Sequence, residues 1–220
     1  MFHSFSILLN LSYEYPDNIR MRKFFASFVM LCSIAVFFSC ASRASLKPPE
    51  KVVRPETPEA IMGDGIVPAE KLAGLVHQVN ADIDADFAAD LAKYYVEEAA
   101  AEGVNHDVAF AQMCLETGFL RFGGDVMPEQ FNFCGLGAVG NGEPGLSFPD
   151  PQTGVRAHIQ HLKAYGSTEP LNNDLVNPRF RFVRRGRAPT IYGLAGAWAM
   201  DPEYGNKIAK VLERMYHFAF

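Results

Sequence analysis

The segment HDVAFAQMCLET, residues 106–117, constrains the fold most. As a helix it places Val108, Ala109, Phe110, Ala111, Met113, Cys114 and Leu115 around nearly its whole circumference. A helix that is apolar on every side has to be enclosed by other elements, which predicts a mainly α fold with this helix at its centre. Its ends are marked: Asn105 can cap it, Asp107 suits its first turn, and Gly118 offers a stop. Gln112 and Glu116 need a reason to lie on such a helix. Four residues apart, they share one face, and Ala109 on that face leaves room for an approaching group.

The partners of the central helix can be read from spacing and breakers. Residues 71–80 and 84–102 read as helices, the second ending at Gly103. Residues 153–165, 190–200 and 202–218 read as three more. Between them, 133–148 reads as a small β-hairpin turning at Gly140-Asn141-Gly142. No internal repeat is evident.

The first third of the chain is different in kind. From Met21 the chain has Arg22 and Lys23, then an apolar stretch 24–38 that is too short to span a bilayer as a helix but suits an export signal. Its end, Phe37-Phe38-Ser39-Cys40, resembles a bacterial lipoprotein processing site, with Cys40 the residue that would be lipidated. Ordinary cleavage after Ser42-Arg43-Ala44, discarding Cys40, is the alternative. Residues 1–20 precede a complete signal and read as a misplaced start. Residues 41–69 carry Pro48, Pro49, Pro55, Pro58 and Pro68 among charged residues and read as an extended tether. The domain is then 70–220, long enough for one core. Loss of residues 1–40 moves the formal net charge from -5 to -6, and an acidic domain does not suit general nucleic-acid binding.

Glu116 carries the chemistry. Apolar neighbours such as Met113 and Phe119, and the negative end of the helix dipole, both disfavour its charged form. A carboxyl group kept protonated near neutral pH can protonate a leaving oxygen, the general-acid role in glycoside cleavage. The alternative is a glutamate at a frayed helix end in water.

Four ordered blocks resemble a known family. They are Ala111-Gln112-Met113-Cys114-Leu115-Glu116-Thr117-Gly118, Asn132-Phe133-Cys134-Gly135-Leu136-Gly137, His161-Leu162-Lys163-Ala164-Tyr165, and Trp198-Ala199-Met200-Asp201-Pro202-Glu203-Tyr204. Together they resemble the bacterial endo-β-N-acetylglucosaminidases of the flagellar and autolysin type, over about residues 84–218. The resemblance implies a lysozyme-like helical domain with a small β-hairpin lobe over the cleft, cleavage of β-1,4 bonds in N-acetylglucosamine-containing strands of peptidoglycan, and Glu116 as catalytic acid. Gln112, Asn132, Phe133, Tyr165, Trp198 and Tyr204 are the expected substrate-binding residues, the aromatic ones offering rings to sugar faces. Trp198 stands where the family commonly has tyrosine, and Phe131 where it usually has a polar residue. Glu143 and Asp150 are the candidates for a second carboxylate, each with an alternative reading as a turn residue; without one, the substrate's own N-acetyl group could act as nucleophile. A lytic transglycosylase on the same fold and a non-catalytic wall-binding lipoprotein are the rival readings.

His158 and His161 share a helix but lack a third ligand and the His-Glu-x-x-His pattern, so hydrogen bonding is expected of them and no metal or other cofactor is implied. Arg179, Arg181, Arg184, Arg185 and Arg187, interleaved with Phe180 and Phe182, read as a solvated loop or a contact for anionic wall polymer. Cys114 and Cys134 read as a bridge or as two buried thiols. The expected partners are glycan strands and, through a lipid anchor, a membrane, for a monomer exported to the cell envelope.

Overall fold

The computed structural model describes residues 53–138, 140, 142 and 144–220. The expected misplaced start (1–20), signal (21–40), lipid site Cys40 and first part of the tether lie outside these residues, as does Glu143.

Among the described residues there are five α-helices: α1 (Ala69–Val79), α2 (Ala85–Glu102), α3 (His106–Glu116), α4 (Pro151–Gly166) and α5 (Tyr204–Ala219). Their starts follow local chemistry. The side chain of Asp84 accepts from Phe87 N, that of Asn105 from Asp107 N and Val108 N, and that of Asp150 from Thr153 N with Pro151 behind it. Gly103 ends α2 in the left-handed conformation that glycine adopts without a Cβ penalty. The apolar residues of α5 (Ile208, Leu212, Met215) recur at intervals of three and four, so one face is buried.

The central position of α3 is as the sequence predicts. Every residue from His106 through Cys114 is buried, and the helix touches α2, α4 and α5. On its far side α2 packs against both α1 and α4. Two carboxylates of α2 tie it to α4: Glu98 pairs with Arg156 at 2.8 Å and Glu102 with the buried Lys163 at 2.8 Å.

Three expectations are corrected. Residues 190–200 do not form an α-helix: a 3-10 turn, Ile191–Leu194, gives way to a tight loop in which the Leu194 carbonyl accepts from the amides of Ala197, Trp198 and Ala199. Gly196, at φ 69°, takes a left-handed conformation there, and Gly193 lies so close to the Ala188 backbone that a side chain would collide. The β-hairpin is also absent, since no described residue between 133 and 148 is in a strand. Gly135, Gly137, Gly140, Gly142 and Gly145 all have positive φ, which breaks an extended ladder. The segment is instead an irregular lobe, crossed by a backbone bond from Leu146 N to Leu136 O and holding a small core of Cys134, Leu136, Phe148 and Ala157.

The third correction concerns the tether. Residues 59–67 are laid against the domain, because Ile61 and Val67 have apolar side chains that bury completely in its core. Ile61 N donates to Pro189 O, Ile191 N to Glu59 O and Asn105 N to Ile61 O. The buried carboxylate of Asp107 fixes the end of this strap by accepting from Ile66 N at 2.9 Å and Val67 N at 3.1 Å.

Candidate active site

Glu116 is the last residue of α3, and the chain beyond it turns sharply. Thr117 Oγ1 donates to Met113 O and accepts from Leu120 N, closing the helix end. Gly118, Phe119 and Leu120 then take left-handed conformations in succession, at φ 58°, 58° and 62°, followed by Phe122 at 56°. Such geometry costs a non-glycine residue about 1–2 kcal/mol. It is held by Asn80, whose Nδ2 donates to Phe119 O at 3.0 Å, and by Phe119 N to Cys114 O. The turn swings residues 122–126 back over the carboxyl group, so that a pocket forms between them and the lobe, lined by Glu116, Phe122, Asp125, Asn132, Gly135 and Ala138.

The Glu116 side chain opens to this pocket, and the residue counts as exposed by surface area, yet its carboxyl group is ringed by protein. Tyr204 Oη donates to Oε1. Oε2 faces the lobe, 3.9 Å from where a Cβ on Gly135 would sit. Burial raises the carboxyl pKa, and hydrogen bonds from Tyr204 and Trp198 oppose that rise. The physical cause expected from the sequence, apolar surroundings, is therefore the dominant one.

Behind the acid lies an unbroken buried chain. Gln112 Nε2 donates to Tyr204 Oη at 2.7 Å, Gln112 Oε1 is 2.9 Å from His158 Nε2, and His158 Nδ1 is 2.9 Å from Tyr95 Oη. Burial drops the His158 pKa to about 3, so the ring is neutral. His161 is likewise depressed, to about 4, and its Nδ1 pairs with Asn177. Trp198 covers this pair, with its ring 5.0 Å from His161, 5.7 Å from His158 and 5.5 Å from Tyr165. Among the described residues no cluster of His, Cys, Asp or Glu is arranged to hold a metal.

The structure therefore divides the residues singled out from sequence. It brings Glu116, Trp198 and Tyr204 together. Gln112, expected to touch substrate, is wholly buried and reaches the acid only through Tyr204. Asn132 lines the pocket but is 1% exposed, and its carboxamide is engaged by Leu136 N, Leu136 O and Leu146 O, each at 2.9 Å. Phe133 is in the main core, and Tyr165, nearly buried, donates to Ala197 O. Neither presents a face for stacking. Asp150 is the N-cap of α4, its side chain accepting from Thr153 N, and it does not line the pocket at Glu116. The pocket carboxylate is instead Asp125, which accepts from Gly142 N at 3.0 Å and which the sequence reading passed over; Gly123-Gly124 before it is the only local signal. Cys114 and Cys134 are both free thiols, buried, and burial raises the Cys134 thiol pKa, with the nearby Glu116 carboxylate adding to the rise. The arginine loop is exposed, and Arg179 and Arg181 stack over Phe182 and Arg185 over Phe180.

A more voluminous groove lies elsewhere, where residues 54–59 cross Glu213 and His217 of α5. Its lining includes no part of the buried hydrogen-bonded chain behind Glu116, so the pocket at Glu116 is the one with built chemistry.

Comparison with known proteins identifies the family. Residues 92–217 match the glucosaminidase family, described as mannosyl-glycoprotein endo-beta-N-acetylglucosaminidase, over more than half of the chain. An uncharacterized protein of Borreliella burgdorferi is 43% identical over 158 residues, covering 72% of this chain and 78% of that protein. No solved structure matches the chain.

Proposed function

From the premise that the chain belongs to the glucosaminidase family and carries a glycoside hydrolase domain, we propose that it hydrolyses β-1,4 bonds beside N-acetylglucosamine in peptidoglycan, with Glu116 as general acid. One observation carries this reading: the carboxyl group at the end of the buried helix has a raised pKa, a tyrosine on one oxygen, and its other oxygen toward the pocket. In the reaction, Glu116 gives its proton to the glycosidic oxygen as the bond from that oxygen to the anomeric carbon breaks. Water adds to the anomeric carbon and loses a proton. Asp125, in the wall of the same pocket, is the described carboxylate available to that water; the substrate's acetamido oxygen is the alternative nucleophile.

Mutating Glu116→Gln keeps shape and hydrogen bonding while removing the transferable proton. Release of muropeptides from purified peptidoglycan should fall by at least 100-fold, on the scale of general-acid catalysis, and undiminished release overturns the assignment. Mass spectrometry of the products separates the rivals. Reducing-end N-acetylglucosamine supports hydrolysis, anhydromuramic ends indicate a lytic transglycosylase, and binding without turnover indicates a wall-binding protein. The same proposal places the protein at the cell envelope, exported by residues 21–40 and anchored through lipidated Cys40. Metabolic labelling with a radioactive fatty acid tests this, since Cys40→Ala should abolish incorporation.

A further inference from the structure

We infer that Tyr95, His158 and Gln112 form a donor chain of fixed direction that holds the Tyr204 hydroxyl hydrogen on Glu116 Oε1 and so confines the acid's proton to Oε2. The inference rests on the reading of Glu116 as the acid. It concerns how three buried residues outside the pocket act on it through Tyr204, as positioning residues.

The direction follows from what each group can donate. A carboxamide oxygen only accepts, so the hydrogen between His158 Nε2 and Gln112 Oε1 belongs to the histidine. A neutral imidazole carries one hydrogen, so Nδ1 is bare and accepts from Tyr95 Oη. At the other end Gln112 Nε2 donates to Tyr204 Oη, whose own hydrogen is then free for Glu116. Each link hands a hydrogen toward the acid, through four helices in the order α2, α4, α3, α5.

The opposite direction is chemically complete everywhere except at its end. With Gln112 flipped and the other histidine tautomer, Tyr204 would donate to Gln112, Glu116 would donate to Tyr204 from Oε1, and His158 Nδ1 would donate to Tyr95. The Tyr95 hydroxyl hydrogen would then need an acceptor. Tyr95 is wholly buried, His158 is its hydrogen-bond partner among the described residues, and the Phe110 ring packs edge-on against it at 5.4 Å. An orphaned buried donor is costly, so Tyr95 sets the direction for the whole chain.

The consequence lies at the carboxyl group. With Oε1 accepting from Tyr204, the proton sits on Oε2, the oxygen toward the lobe and pocket. In the reversed chain it would sit on Oε1 and point into the protein, where no substrate can take it. The groups facing Glu116 are Tyr204 from α5, Trp198 from the loop before it, Cys134 from the lobe, and Asp125 from the segment across the pocket from the lobe. Those facing His158 are Tyr95, Gln112, His161 and Trp198.

The test has two arms on the full chain. In the first, nitrogen NMR of histidine-labelled protein reads the His158 tautomer, and carbon NMR of labelled glutamate reads the Glu116 titration; neither depends on activity. The wild type should show neutral His158 with hydrogen on Nε2 throughout pH 5–8, and Tyr204→Phe and Gln112→Met should both move the Glu116 titration to higher pH. Hydrogen on Nδ1, or an unmoved titration in both variants, overturns the inference. In the second arm, kcat, KM and pH profiles are measured on peptidoglycan. Gln112→Met should lower kcat roughly tenfold, the loss of about one hydrogen bond's worth of transition-state stabilisation, with KM little changed and the basic limb displaced upward. Made in a Tyr204→Phe background, the same change should add nothing. Full additivity there, or a loss of stability with no change in the pH profile, assigns Gln112 a structural role only and overturns the inference. Tyr95→Phe, which removes one hydroxyl and keeps the ring, serves as the variant least disturbing to the fold and should shift the limb in the same sense. If Glu116→Gln stays active, the acid assignment fails, while the NMR arm still decides the direction of the chain.

Discussion

The hydroxyl of Tyr204, on the first turn of α5, donates to Oε1 of Glu116, the last residue of α3 and 88 positions earlier in the chain. The charge state of the acid is thereby linked to the packing of α5 on α3. An acid poised in this way is a site where function and stability pull in opposite directions.

The first expectation concerns that conflict. Burial raises the Glu116 pKa, so the folded protein holds this proton to higher pH than the unfolded chain does. Stability from this group is therefore full below the ordinary carboxylate range and is lost as pH rises through the raised value. Glu116→Gln should melt at a higher temperature than wild type at pH 8, with the gap closing toward pH 4. Thermal unfolding at the two values checks this, and a variant less stable at both speaks against a destabilised carboxylate.

Acid should weaken the fold through two other residues. His158 and His161 are neutral in the folded state, with pKa values near 3 and near 4. Once unfolded they take up protons near pH 6.5, so stability falls as pH drops below that point, by up to about 1.4 kcal/mol per unit for each ring. Urea unfolding between pH 6.5 and 4.5 should show this slope, and His161→Asn should reduce it by about half. An identical slope in that variant would place the acid sensitivity elsewhere.

Asn132 substitutes for the ladder that the lobe lacks. Its carboxamide bonds Leu136 N, Leu136 O and Leu146 O from a position 1% exposed. Asn132→Ala leaves those groups without partners and should destabilise the protein by about 2 kcal/mol or more. Hydrogen exchange would localise the effect, with the Leu136 amide losing protection and the α3 amides keeping theirs.

Gly154 is where α4 meets Phe131, just before the lobe, most closely. A Cβ there would lie 1.9 Å from the Phe131 carbonyl oxygen, and backbone cannot yield as a flexible side chain does. Gly154→Ala should cost about 1–3 kcal/mol by overpacking and reduce kcat/KM by displacing the lobe, while the Glu116 titration stays in place. A variant with wild-type turnover and stability would mean that the lobe is free to shift.

What could be read in the sequence was whatever depends on neighbours along the chain. The apolar circumference of 106–117, the cap at Asn105 and the stop at Gly103 are local, and the helices they predict are present. The segment 190–200 misled because its apolar content suits a helix while Gly193 and Gly196 serve close packing and a left-handed turn. Asn132 and Gln112 were expected to touch substrate, and both are buried. Their partners lie on other elements, Leu146 for one and His158 and Tyr204 for the other, and spacing along the chain carries no record of such contacts. Asp125 went unnoticed for the same reason, since only the left-handed turn after Glu116 brings it to the pocket.

The strap at residues 59–67 sets the limits of any smaller piece that can fold. It bonds the 189–191 segment on one side and the start of α3 on the other, and its Ile61 and Val67 complete the core. The family resemblance begins at residue 92, inside α2. A fragment cut at that boundary would lose α1, the first seven residues of α2 and the strap, opening the core that Ile61 and Val67 complete. The unit that evolution has kept recognisable is thus shorter than the unit that can stand alone, and an excised catalytic module has to begin before residue 59.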